Sequence, residues 1–177
     1  MGRLHPLSCA IKAGLLAPQF GGHTPTDRTI NIVTDGSAIG NPGPGGWGAV
    51  FTCGRQQWKL SGASQWTTAA EMELTAALEA LKSIEPGSHV NLSSDCDYLI
   101  RGMRFQAMRW ERWGWRNSRG MPLQDRGLWQ GLLEQNARLF IRWQWVRGHT
   151  GHLKQTEADA LAYSEARRQW LEHRYAA

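Results

Sequence analysis

The sequence has 177 residues, 41% of them hydrophobic and 20% charged. That suits about one domain with its own core and excludes disorder throughout. Cys9, Cys53 and Cys96 are odd in number and lack paired spacing, which excludes a disulfide scaffold or a Cys-rich zinc module and fits a reducing compartment. No apolar run approaches the ~18 residues of a membrane span. The net charge is +5. The excess is concentrated between Arg101 and Arg119, where six arginines stand against the single acid Glu111. Trp110, Trp113 and Trp115 are interleaved with them, a composition that suits phosphates and stacked bases.

Residues 1–28 read as an N-terminal extension, rich in proline and glycine and without an acid before Asp27. Their composition gives organelle targeting only weak support, so the expected location is cytoplasmic. A domain is expected over residues 29–177. Ile30, Ile32 and Val33 predict a strand ending at Asp35, and Gly40 to Gly48 reads as turn chemistry. Strands over 47–52 and 57–62 complete an antiparallel meander. Thr68-Ala69-Ala70-Glu71 is a capping box, so a helix starts after Thr68 and carries Leu74, Ala77, Leu78 and Leu81 on one face until Pro86-Gly87. Val90 and Leu92 predict a short strand ending at Asp95. A helix over 98–103, the Arg/Trp segment, a helix over 128–139, an alternating strand over 139–145 and a helix over 157–174 follow. This order implies an α/β fold with a mixed sheet.

Asp35 and Asp95 each end an apolar strand. If those strands are parallel neighbours, both acids lie at one end of the sheet, where open α/β sheets place their ligands. Close carboxylates need a shared proton or a cation, and a hard divalent ion is the natural partner. Glu71 and Glu73 point about 200° apart on a helix, so only one can join them. The capping box uses Glu71, which leaves Glu73. Asp159 stands near the start of the last helix, after the loop Gly148-His149-Thr150-Gly151-His152. A zinc site at His149 and His152 lacks further nitrogen or sulfur ligands nearby. Gly43-Pro44-Gly45-Gly46-Trp47-Gly48 fits a dinucleotide pattern but precedes a strand instead of a helix.

Five segments together resemble type 1 ribonucleases H of the bacterial kind. They are Thr34–Ser37 with Gly40–Ala49, Thr67-Thr68 with Met72-Glu73-Leu74, Ser93-Ser94-Asp95, Trp145–His152 and Glu157–Ala162, and the likeness covers about residues 29–170. The resemblance implies a ribonuclease H-like fold: a five-stranded mixed sheet, three antiparallel strands then two parallel additions, with helices on both faces. It implies a monomeric endonuclease that cuts the RNA strand of RNA–DNA hybrids and leaves 5′-phosphate and 3′-hydroxyl ends. Asp35, Glu73, Asp95 and Asp159 would hold two Mg²⁺ ions, with Mn²⁺ as a substitute, and His149 would assist catalysis. Gly36, Ala38, Gly40 and Asn41 would meet the RNA strand. Asn41 and Thr68 would hold a DNA phosphate. Arg109, Trp110, Arg112, Trp113 and Arg116, on a basic protrusion over about 101–121, would grip the DNA. Ala69 and Ala70 replace two asparagines usual in this family, and Asp97 and Gln106 replace a glutamine and a tryptophan. The alternatives are a transposase or integrase of the same superfold, and a catalytically silent hybrid-binding protein.

Overall fold

The computed structural model describes residues 29–148 and 153–175, apart from the His173 side chain. The extension expected over 1–28, and the segment with His149 and His152, lie outside the described residues. Five strands form one sheet in the order β3-β2-β1-β4-β5. They are β1 (Ile30–Ala38), β2 (Gly43–Cys53), β3 (Gln56–Thr67), β4 (His89–Ser94) and β5 (Phe140–Trp145). β1, β2 and β3 pair antiparallel, while β4 joins β1, and β5 joins β4, in parallel. The helices are α1 (Ala69–Lys82), α2 (Asp97–Arg101), α3 (Ala107–Arg112), α4 (Arg126–Arg138) and α5 (Leu153–Tyr175).

The two faces of the sheet are packed differently. Ile30, Ile32, Ala49, Phe51 and Leu92 lie in the main core with Leu74, Ala77 and Leu81 of α1 and with Trp129 and Leu132 of α4. Val33 and Val50, of opposite strand parity, meet Ala158 of α5 on the other side. There β2 offers glycine instead of side chains. A Cβ at Gly46 would stand 2.3 Å from the Ala162 carbonyl oxygen and 2.4 Å from the Ala166 nitrogen. One at Gly48 would stand 2.6 Å from the Ala158 carbonyl oxygen. The α5 backbone therefore lies directly on β2, with only small residues between.

Several sequence expectations are corrected: β3 runs on to Thr67 instead of ending at 62, and the last helix begins at Leu153, a full turn before Glu157. β1 runs on past Asp35 to Ala38, because Gly36, Ser37 and Ala38 pair with Trp47, Gly46 and Gly45. The Gly/Pro stretch expected as a turn already belongs to β2 from Gly43, and its Gly46 and Gly48 admit α5. The helix expected over 98–103 is longer and interrupted: α2 leads into a π-helical stretch, Gly102–Gln106, and then α3.

Gly46→Ala should lower unfolding stability by about 1–3 kcal/mol, since the added methyl has backbone, not a flexible side chain, in its way. A urea midpoint shift at unchanged slope measures this.

Candidate active site

The parallel pairing of β1 with β4 sets Ile32 beside Leu92 and Val33 beside Ser93. Asp35 and Asp95 therefore emerge at the same end of the sheet. Glu73 comes from the second turn of α1, and its arrival depends on Gly36. A Cβ at Gly36 would lie 2.2 Å from the Glu73 nitrogen and 2.4 Å from the Met72 carbonyl carbon. No other residue type lets α1 approach β1 so closely. Carboxylate oxygens of Asp35, Glu73 and Asp95 lie within 4.8 Å of one another. Asp159 lines the same cleft of about 280 Å³, together with Gly36, Ser37, Gln155 and Thr156.

The capping box forms as read. Thr68 Oγ1 accepts from the Glu71 nitrogen at 3.1 Å, and Glu71 Oε2 accepts from the Thr68 nitrogen at 2.8 Å. It also accepts from Thr67 Oγ1 at 2.8 Å. These donors hold the Glu71 carboxyl below its ordinary pKa, and the cap sets the helix phase that aims Glu73 at the cleft.

The acids strain against their surroundings. Burial, then the charges of Asp95 and Asp159, push the Asp35 pKa up to about 7, partly countered by the Gln155 amide. Burial and the charges of Asp35 and Asp95 push Glu73 well up, although the Gly36 backbone and the Ser94 hydroxyl favour its anion. Glu73 Oε2 is buried without a hydrogen-bond partner among the described residues. An orphaned carboxylate oxygen among like charges is what a cation would satisfy. An all-oxygen donor set suits a hard divalent ion over zinc.

Two neighbours escaped the sequence reading. Gln155, buried in the first turn of α5, donates from Nε2 to Asp35 Oδ1 at 3.2 Å. Its spacing of four from Asp159 puts both on one helical face, but a glutamine in a polar helix carries no other signal. Gly148 runs against Asp95 so closely that a Cβ there would be 2.2 Å from Asp95 Oδ2. Gly148 thus stands beside the cleft that Asp95 lines. Trp145 Nε1 donates to the Asp95 carbonyl oxygen at 3.0 Å, tying β5 to the same acid.

The other candidate residues are dispersed around this centre. Ala38 pairs with Gly45 at the end of β1, and Gly40 has φ +85° in the turn that follows. Asn41 Oδ1 accepts from the Ala69 nitrogen at 2.9 Å, so Asn41 and Thr68 together cap α1. Arg109 and Arg112 are exposed on α3, and the Arg109 guanidinium lies 4.9 Å from the centre of the exposed Trp113 ring. Trp110 instead packs edge-on against the buried Trp129, with ring centres 5.1 Å apart. Arg116 Nη1 donates to the Gly120 carbonyl at 2.7 Å and helps close the loop beyond α3.

The ribonuclease H family model matches residues 27–167. The chain belongs to the ribonuclease H family. It is 39% identical over 137 residues to a ribonuclease H of Pelobacter propionicus, covering 77% of this chain and 84% of that one. It is 44% identical over 135 residues to a ribonuclease H of Chelativorans sp., covering 76% and 83%. Among solved structures it resembles LC9-RNase H1, described as a type 1 RNase H with the type 2 active-site motif, at a TM-score of 0.71 and 27% identity, covering 84% of this chain and 76% of that one.

Two results are expected at this site. Glu71→Gln should retain nuclease activity with a stability loss of at most about 1 kcal/mol, whereas Glu73→Gln should lose it; parallel cleavage and melting assays separate the two. Asp35 binds its proton more tightly folded than unfolded, so its contribution favours the metal-free protein at low pH and is lost as pH rises from about 4 through about 7. Asp35→Asn should therefore raise the melting temperature by about 5 °C at pH 8 without metal, and by much less at pH 5.

Proposed function

We infer that this chain is a ribonuclease H that cuts the RNA strand of RNA–DNA hybrids. The observation that carries the reading is the convergence of Asp35, Glu73 and Asp95 within 4.8 Å, with Asp159 lining the same cleft. Several carboxylates on one small cleft suit a phosphodiester only if cations stand between acids and phosphate. Asp35, Glu73, Asp95 and Asp159 would hold two Mg²⁺, with Mn²⁺ as a substitute. Bound there, the ions would activate a water and stabilise the leaving oxygen.

The chain's own residues do the rest. Gln155 holds one Asp35 oxygen and leaves the other directed by the cleft. Glu73 presents a buried oxygen that no group among the described residues satisfies. His149, which the sequence places one residue after Gly148, would move protons at the leaving group or assist product release. The small residues Ala38 and Gly40 would let backbone approach the RNA strand, where a 2′-hydroxyl tells RNA from DNA, with Gly36 lining the cleft beside them. Asn41 and Thr68 would hold a phosphate of the DNA strand at the N-terminus of α1. Arg109, Arg112 and Arg116, with Trp113, would grip the same strand farther along. Trp110 supports this protrusion from within, through its contact with Trp129.

The deciding experiment is cleavage of a labelled hybrid with and without Mg²⁺, beside duplex DNA and duplex RNA. Hybrid alone should be cut, only with the ion, to 5′-phosphate and 3′-hydroxyl ends. Cutting of duplex DNA would favour a transposase-like enzyme, and binding without cutting a silent hybrid binder. Asp35→Asn and Asp95→Asn should each lower the rate by about a thousandfold or more while hybrid binding survives.

A further inference from the structure

One large aromatic side chain near the cleft has no place in the core. Trp66 is 73% exposed at the end of β3, two residues before the N-cap of α1. Trp145 of β5 is also exposed but donates its Nε1 to the Asp95 carbonyl oxygen, and the remaining tryptophans of the sheet are packed. Trp47 lies against Gly62, Trp58 stacks on Phe51 at 5.1 Å, and Trp143 is buried.

The sheet itself presents Trp66. Pairing of β2 with β3 runs regularly from Cys53–Gln56 to Gly45–Ser64, then resumes at Gly43–Thr67. Two residues of β2 are thus matched by three of β3. This is a β-bulge, a device that breaks side-chain alternation and re-aims a residue. Gln65 and Trp66 are consecutive and both exposed, whereas Thr67 is buried again. The neighbouring chain is small and uncharged: Gly43 of β2 pairs with Thr67, the residue after Trp66, and Ala69 and Ala70 open α1, with the Ala69 nitrogen donating to Asn41 Oδ1.

The location fixes what the ring could meet. From Trp66 to Glu73 the chain runs about two strand residues and then some five helical residues, which puts the Trp66 backbone at most roughly 15 Å from that of Glu73. At ~3.4 Å per nucleotide of a strand, that is at most about four nucleotides. We propose that Trp66 is a stacking platform for a nucleotide of the strand held at the N-terminus of α1, and so sets where along a hybrid the cleft comes to rest. This rests on the hybrid-binding reading above. Stacking on an indole face does not depend on base identity, so the contact adds grip and register without sequence preference.

The test uses the full chain and a labelled RNA–DNA hybrid. Trp66→Ala and Trp66→Phe are compared with wild type for KM, kcat and cleavage positions. Their affinities are measured in the Asp35→Asn background across a salt series. Trp66→Ala should raise KM and weaken binding about tenfold, leave kcat within twofold, blur the cleavage positions and keep the salt slope. Trp66→Phe should recover most of the loss. An Arg109→Ala, Arg112→Ala double variant should instead flatten the slope, showing that the assay sees phosphate contacts. Unchanged binding in Trp66→Ala, no recovery with Phe, or a flattened slope in Trp66→Ala would overturn the proposal while leaving the nuclease reading intact. A wild-type protein that neither binds nor cuts hybrid would overturn both. Melting temperatures of the two Trp66 variants should match wild type, as expected for an exposed ring.

Discussion

Mutual repulsion among acids, enforced by the fold, is the constraint on which this molecule is organised. Among the described residues, the groups that act on Asp35 and Glu73 are other carboxylates, an amide, a hydroxyl and backbone, with no cation among them. A protein does not gain stability by burying like charges together. The strain is tolerated because the scaffold over-determines the geometry. Parallel pairing levels β1 with β4, the capping box fixes the phase of α1, and Gly36 admits that helix to within backbone contact of β1.

The same economy governs the fourth side of the cleft. α5 brings Gln155 and Asp159 from the opposite face of the sheet, where β2 is worn down to glycine. Polar ties along the edge hold this helix in register. Ser61 Oγ donates to Glu165 at 2.8 Å, and Lys59 Nζ lies 3.3 Å from Glu157. Exposed pairs of this kind contribute little energy individually. Their value here is positional, because they fix α5 against sliding along β3.

Much of this was legible in the sequence, for identifiable reasons. Apolar strands ending in aspartate, and a Thr-x-x-Glu box that excluded Glu71, were local signals that survived folding. What escaped depended on partners distant in the chain. Gly43 to Gly48 look like a turn until Gly46 and Gly48 are known to seat α5, and only then do they make sense as strand. Gln155 has meaning only beside Asp35, 120 positions away. Trp110 and Trp113 looked alike in a basic run, yet one serves the aromatic cluster around Trp129 and the other stands in solvent under Arg109. No local rule separates them, since the difference arises from the turn of α3 relative to α4.

The glycine seat of α5 blurs a distinction that mutational surveys rely on. Neither Gly46 nor Gly48 lines the cleft, yet each holds up the helix that carries its fourth acid. A survey scored on enzymatic output alone would rank them with the acids themselves. Only a parallel measure of folded protein would reveal them as foundations.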